Sequence, residues 1–247
     1  MTEREQLPRF FPRGAVGAEI GVAHGDYSAV ILEAADPGEL HLIDPWSHLE
    51  EGSDPLQAAG FLADLDKEGV VFGAPPPNIE GDEHYARIVA RFGSDPRVRL
   101  HRQYSYKAVT GFAKGSFDFV YLDGNHHYEF VLRDLQDFAA RLKPGGLLFG
   151  HDFFEDDFAR REHYGVVGAV LTFLKRSDFR LLALTWEPFS TFCLARRLDG
   201  FAGAFLDNLM ESDVPMIALP DELAANYRDR MHPRRSGPPR RIPSFTA

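Results

Sequence analysis

The sequence holds a single cysteine, Cys193, among 247 residues. No intramolecular disulfide can form, and a reducing, cytoplasmic setting is the expectation. A chain of this length buries a core large enough to need no covalent staple. Long hydrophobic runs are missing too: none approaches the roughly 20 residues of a membrane-crossing helix. The opening MTEREQLPRFFPRG has acids and prolines where a signal peptide needs an apolar centre, so no membrane association is expected. Basic residues are in deficit, 27 against 37 acids, for a net charge of −10. That balance argues against a general nucleic-acid binder. The G-x-G-x-x-G fingerprint of dinucleotide enzymes is absent, and there are no internal repeats.

What is present centres on Ser116 to Phe154. Phe117 to Leu122 is a short apolar run, rich in aromatic and β-branched residues, as a buried strand requires. It ends in Asp123-Gly124-Asn125-His126-His127. Tyr128, Val131, Leu132, Leu135, Phe138 and Leu142 then recur at helical spacing. Pro144-Gly145 reads as a turn, and Leu147 to Gly150 as a second strand closed by His151-Asp152. A right-handed βαβ unit makes the two strands parallel. Asp123, His126, His151 and Asp152 then share the carboxyl edge of one sheet, where open α/β folds bind ligands.

The rest of the chain builds around this unit. Residues 1–13 form a polar lead whose Phe10-Phe11-Pro12 packs on the domain, a lid over the site being the alternative. Val16 to Ile20 is a strand leading through Gly21 and Gly25 into a helix with Tyr27, Val30, Ile31 and Ala34 on one face. Glycines in such a turn let a ligand approach the backbone, and Glu19 beside them suits a cationic ligand better than a pyrophosphate. Glu39 to Ile43 is a second strand. Asp44 at its tip is placed to hydrogen-bond ribose hydroxyls. Residues 47–81, with Pro75-Pro76-Pro77, break the rhythm and read as an insertion and candidate substrate lid, with a short helix over Leu56 to Leu65. Further expectations are a helix over Glu83 to Phe92, a strand over Val98 to His101 and a helix over Tyr106 to Phe112. Val166 to Leu174 is another helix, and Phe179 to Leu184 with Thr191 to Ala195 form an antiparallel hairpin. Past Arg197, helices are expected over Phe205 to Met210 and Asp221 to Met231. The basic, Pro-rich tail after them is read as extended or disordered. Its arginines suit an acidic partner or a second subunit, which would make a homo-oligomer, and a solvated tail is the simpler reading.

Two carboxylates and an imidazole, as in Asp123, His151 and Asp152, can hold a divalent cation. Oxygen ligands favour Mg²⁺, Ca²⁺ or Mn²⁺, and the imidazole tilts toward Mn²⁺, Fe²⁺ or Zn²⁺. Such an ion lowers the pKa of a bound hydroxyl. Histidine titrates near neutrality, so His126 is placed to take the proton, whereas Asn125 cannot act as a base. The bland alternatives are helix caps for the aspartates and an edge or surface position for the histidines. An HD-type phosphohydrolase would need further histidines on helices.

With these residues in view, the chain resembles a class I S-adenosylmethionine-dependent methyltransferase. It is most similar to small-molecule O-methyltransferases of the macrocin and mycinamicin sugar type. The likeness rests on Gly17-Ala18-Glu19-Ile20-Gly21 through Gly25, on Asp44, on Leu122-Asp123-Gly124-Asn125-His126 with Tyr128-Glu129, on Leu142-Lys143-Pro144-Gly145-Gly146 and on His151-Asp152. It spans roughly residues 14–197, leaving a lead at 1–13 and an extension at 198–247. It implies a Rossmann-like, doubly wound α/β fold with a mostly parallel seven-stranded sheet and a terminal antiparallel hairpin. It implies that Glu19, Gly21 and Gly25 contact the methionine part of S-adenosylmethionine, that Asp44 binds its ribose, and that Gln103, Tyr104 and Ser105 lie near its adenine. Asp123 falls at the join of cofactor and metal, with Asp123 and Asp152 at metal positions and His126 at the base position. Some metal-dependent relatives carry two adjacent acids where this chain has His151-Asp152, and some use Asp as the base where it has Asn125. The expected activity is methylation of a hydroxyl on a small molecule (a sugar, a phenol or a secondary metabolite), assisted by Mg²⁺ or Mn²⁺. The rivals are a metal-independent enzyme acting on another nucleophile, a non-catalytic S-adenosylmethionine-binding module and an NAD-dependent oxidoreductase.

Overall fold

A computed structural model describes residues 3–46, 81–187 and 189–216, and two further strands at 227–232 and 240–245. A 3-10 helix, Arg4–Phe10, opens the chain. Strand β1 (Val16–Ile20) feeds helix α1 (Asp26–Ala34), which returns to β2 (Glu39–Asp44). Helix α2 (Gly81–Phe92) precedes β3 (Val98–Arg102), and the short α3 (Ser105–Ala108) with a 3-10 turn (Val109–Gly111) leads to β4 (Phe117–Leu122). The central unit continues through α4 (Tyr128–Ala139) into β5 (Leu142–Gly150). Helices α5 (Asp157–Arg161) and α6 (Val166–Arg176), strands β6 (Arg180–Leu184) and β7 (Phe192–Ala195), and helix α7 (Gly200–Met210) complete the domain.

The seven strands form one sheet in the order β3-β2-β1-β4-β5-β7-β6. β7 runs antiparallel to both β5 and β6, and the other pairings are parallel. This is the expected Rossmann-like architecture with its terminal hairpin. Strand order reverses between β1 and β4, so a crevice opens at their carboxyl ends.

Both faces are covered. Along β4, Phe119 and Tyr121 point into one apolar layer with Phe11, Tyr27, Ile31, Phe149 and Phe205, while Val120 and Leu122 point into the other with Val131, Leu135, Phe138 and Phe173. A period of two with both sides buried explains why this strand reads as an unbroken apolar run. Each such side chain contributes roughly 1.5–3 kcal/mol on burial. Phe11 stacks on Phe149 at a ring distance of 5.1 Å and meets Phe119 at a tilt, 4.8 Å away, so the N-terminal segment does pack on the sheet.

Three expectations need correction or fall elsewhere. The Pro144-Gly145 pair is no turn between helix and strand but lies inside β5. The ladder shifts there, from Phe117 opposite Leu142 to Phe119 opposite Leu147. Gly145 fits because a Cβ would come 2.3 Å from the Asp199 carbonyl oxygen ahead of α7. In the C-terminal extension, Tyr227–His232 (β8) is a strand where a helix was expected. It pairs antiparallel with Arg240–Phe245 (β9), in the tail read as extended or disordered, which is here extended and paired. Cross-strand hydrogen bonding there outweighs local propensity. The candidate lid at 47–81, with its short helix, falls outside the described residues except for its last residue, which opens α2. No helix among the described residues is long and apolar enough to cross a membrane.

Candidate active site

Strand β1 delivers Glu19 and Gly21 to the crevice. Gly21 has φ +84°, and a Cβ there would sit 2.0 Å from the Asp123 carbonyl oxygen, so the tips of β1 and β4 touch through this glycine. Gly25, at φ +75°, lies against the Phe92 ring ahead of α1. Both positions require glycine for conformation and for space. Asp44, at the tip of β2, organises the loop between them. Its Oδ2 accepts from the N–H groups of Val22 (2.9 Å) and Ala23 (3.0 Å), and its Oδ1 from that of Trp46 (2.6 Å). An ionised carboxylate has lone pairs beyond these, so hydroxyl donors can still reach it.

Glu19 is 1% exposed. Its carboxylate accepts a short hydrogen bond from Ser28 at the start of α1. Burial pushes its pKa from 4.5 up to about 8, and the Ser28 bond only partly offsets this. Gln103, Tyr104 and Ser105 follow β3 into α3, at the same edge. The Ser105 hydroxyl bonds Asp134 of α4, whose carboxyl burial raises to about 6.

Asp123, His126 and Asp152 come together beside this loop, with ligand-capable atoms within 4.8 Å of one another. His126 Nε2 lies 2.9 Å from Asp152 Oδ2, and the His126 ring stacks on Tyr164 at 4.6 Å. His151 Nδ1 is 3.3 Å from Asp152 Oδ1 and 3.8 Å from Asp123 Oδ1. Burial alone would raise the Asp152 carboxyl, but His151 and His126 hold it well below the usual carboxylate range. Burial likewise opposes charge on His151, yet Asp152 and Asp123 raise its pKa above the ordinary value. His127 turns away and serves as the N-cap residue of α4, its N–H held by Asn125 Oδ1 at 2.8 Å. Ala23, Trp46 and Asp152 are non-glycine residues at positive φ, of +46°, +45° and +57°. Left-handed backbone at the tips of β1, β2 and β5 is strain of the kind that gathers at functional sites. Two oxygens and an imidazole nitrogen at this spacing fit a divalent cation. The side-chain-free surfaces of Gly21 and Gly25 beside acids fit a cationic cofactor.

The sequence model of a family described as "Methyltransferase domain" matches residues 18–153. The chain belongs to this methyltransferase family. Its enzyme class is that of S-adenosylmethionine-dependent methyltransferases. Among solved structures it is similar to the N-methyltransferase NodS from Bradyrhizobium japonicum WM9, with 14% identity, 78% of this chain and 92% of that one covered, and a TM-score of 0.50. A protein from Corynebacterium glutamicum is also similar, at 14% identity, 79% coverage of each chain and a TM-score of 0.49. Spermidine synthase from Thermotoga maritima is 13% identical, with 89% and 66% covered and a TM-score of 0.49. At 14% identity the likeness to NodS is one of fold alone. No curated protein matches the sequence.

The expected residues lie at the carboxyl tips of the parallel strands or just beyond them, and among the described residues the grouping with metal-ligand spacing takes His126, in place of the expected His151, with Asp123 and Asp152. Two more were not anticipated. Arg4 reaches across from the N-terminal 3-10 helix, its Nη1 donating to Asp123 Oδ2 at 2.8 Å. Glu187, between β6 and β7, is 7% exposed and accepts from the Arg4 N–H (2.8 Å) and the Thr185 hydroxyl (2.5 Å).

The raised pKa of Glu19 has a measurable consequence for this methyltransferase. Between 4.5 and about 8 the folded protein keeps a proton that the unfolded chain has released, so stability falls as pH rises through that window. Glu19→Gln keeps a partner for Ser28 and removes the charging cost. Its stability relative to the parent should grow from pH 4.5 to 8, by on the order of a few kcal/mol at the upper end. Denaturant melts of ligand-free protein across this range check the slope, and a constant difference would contradict it.

Proposed function

We propose that the enzyme methylates a hydroxyl of a small molecule. The observation that carries this reading is the His126–Asp152 contact of 2.9 Å at a strand tip adjoining Asp123 and the Gly21–Gly25 loop. Glu19, Gly21 and Gly25 hold the methionine part of the cofactor, Asp44 its ribose, and Gln103, Tyr104 and Ser105 surround its adenine. S-adenosylmethionine, when bound, supplies a methyl group activated by a sulfonium. With Nε2 facing Asp152, His126 accepts the proton of the substrate hydroxyl at Nδ1, and Asp152 both orients the ring and stabilises the imidazolium that results. Tyr164 supports the ring from its face. In-line transfer then rests on holding donor and acceptor at one fixed edge, a positioning contribution of the kind worth several kcal/mol.

Asp123 and Asp152, with His151 as nitrogen ligand, are the residues to hold Mg²⁺ or Mn²⁺. Such an ion, when bound, lowers the pKa of the hydroxyl. A second reading comes from the close grouping of His126 itself with Asp123 and Asp152, which suits His126 as the nitrogen ligand. Manganese titration followed by electron paramagnetic resonance is expected to give a single site per chain that Asp152→Ala abolishes. Undiminished binding in that variant would place the ion elsewhere. The activity is tested by incubating the protein with methyl-labelled S-adenosylmethionine and a panel of sugars, phenols and polyketide alcohols. Mass spectrometry should find label on oxygen, and label found only on nitrogen would overturn the hydroxyl assignment.

A further inference from the structure

The N-terminal 3-10 helix has no part in the assignments above, yet it is held against the site at several points. The Arg4 N–H donates to Glu187 and its carbonyl accepts from the Tyr27 hydroxyl at 3.3 Å. Leu7 and Phe10, further along, are buried. The guanidinium donates from Nη1 to Asp123, from Nε to Glu5 at 3.4 Å, and lies 5.2 Å from the centre of the Tyr27 ring. It therefore stands between the tips of β1 and β4, above α1, with Glu19 within its electrostatic reach.

The amino-acid end of S-adenosylmethionine is a zwitterion. Asp123 suits its ammonium and its sulfonium but repels its carboxylate, and the buried Glu19 carboxyl offers the ammonium a second oxygen partner. A helix-entry loop commonly receives such an anion with backbone N–H groups. Here four of the loop's donors are taken: Gly21 N–H bonds the Ile43 carbonyl at 3.0 Å and Gly25 N–H that of Val22 at 2.8 Å. The Val22 and Ala23 N–H groups are on Asp44. A side-chain cation at this edge offers the carboxylate a charge-assisted partner that the occupied loop donors do not. A guanidinium is a planar fork with more donors than Asp123 and Glu5 occupy, and its geometry matches a carboxylate.

We propose that Arg4 anchors the carboxylate of the cofactor's amino-acid end, and that the Arg4–Asp123 pair is a template for the zwitterion. The guanidinium receives the carboxylate, while Asp123 and Glu19 receive the ammonium. Arg4 is thus a residue of cofactor specificity, selecting ligands that retain the carboxylate. The inference rests on the cofactor placement given above.

Calorimetric titration with S-adenosylhomocysteine and with its decarboxylated analogue tests it without turnover. The unaltered protein should prefer S-adenosylhomocysteine by about 10- to 100-fold, the range of a charge-assisted hydrogen bond. Arg4→Gln should lose that preference by weakening S-adenosylhomocysteine alone, and Arg4→Lys should restore part of it. Equal weakening of both ligands by Arg4→Gln would reduce Arg4 to a structural prop and overturn the proposal. So would an unchanged preference. Because the comparison of the two ligands on unaltered protein needs no substitution, absence of a preference there also overturns it, even if the variants fold poorly. Failure of unaltered protein to bind either ligand would overturn the cofactor placement and the proposal with it.

Discussion

Asp123→Asn is expected to lower methyl transfer by about 100- to 1000-fold, the cost of removing one charged group from a preorganised site. The substitution keeps the shape of the side chain and its contact with the β1 loop, whose closest approach is through the Asp123 backbone. What it removes is the negative charge. Arg4 loses its ion partner at 2.8 Å, His151 loses one of the two carboxylates that favour its protonation, and the candidate cation site loses an oxygen anion. The Arg4–Asp123 pair is about a quarter exposed, so its loss should cost stability modestly, about 1 kcal/mol. A large fall in turnover with a small shift in melting is therefore the expected signature. Turnover within a few-fold of the parent would remove Asp123 from the chemistry.

His126→Ala carries the second large effect, a fall of about 100- to 10 000-fold if the imidazole takes the substrate proton. This variant also separates the two placements of His126. As the base, its removal leaves Mn²⁺ affinity intact and flattens the rise of rate with pH that an imidazole confers. As a metal ligand, its removal lowers Mn²⁺ affinity together with rate. The 2.9 Å contact with Asp152 favours the base, because a carboxylate so placed fixes the ring and stabilises its protonated form. His126→Gln, which can still bond Asp152, should be no more active than His126→Ala. Recovery of activity in the glutamine variant would mean that the residue only positions its neighbours.

Much of this architecture was legible from residue pattern. Buried parallel strands announce themselves as short apolar runs, and β1, β2 and β4 did so because both faces of the sheet are covered. Polar residues at the ends of such runs fall at one edge by topology alone, which is why Asp44, Asp123, His126, His151 and Asp152 could be placed together before any coordinates. The misreadings have local causes. Pro144-Gly145 looks like a turn because proline and glycine usually punctuate, whereas here they absorb a shift in the ladder of β5. The β8–β9 pairing depends on a partner strand and left no periodic signal. Arg4 is 119 residues from Asp123, in a segment with no apolar alternation to give it direction. Glu187 betrays itself only through burial, which no residue pattern in the short link between β6 and β7 signals.

On the proposed function, one edge, between the tips of β1 and β5, holds the methyl donor on one side and the hydroxyl-activating group on the other. A crystal structure with S-adenosylhomocysteine and Mn²⁺, with data collected at the manganese absorption edge, tests it most directly. The expected result is the cofactor over Gly21 and Gly25 with its ribose on Asp44 and its carboxylate on Arg4, and an anomalous peak among Asp123, Asp152 and a histidine. A cofactor bound away from this loop, or manganese found only elsewhere, would contradict it.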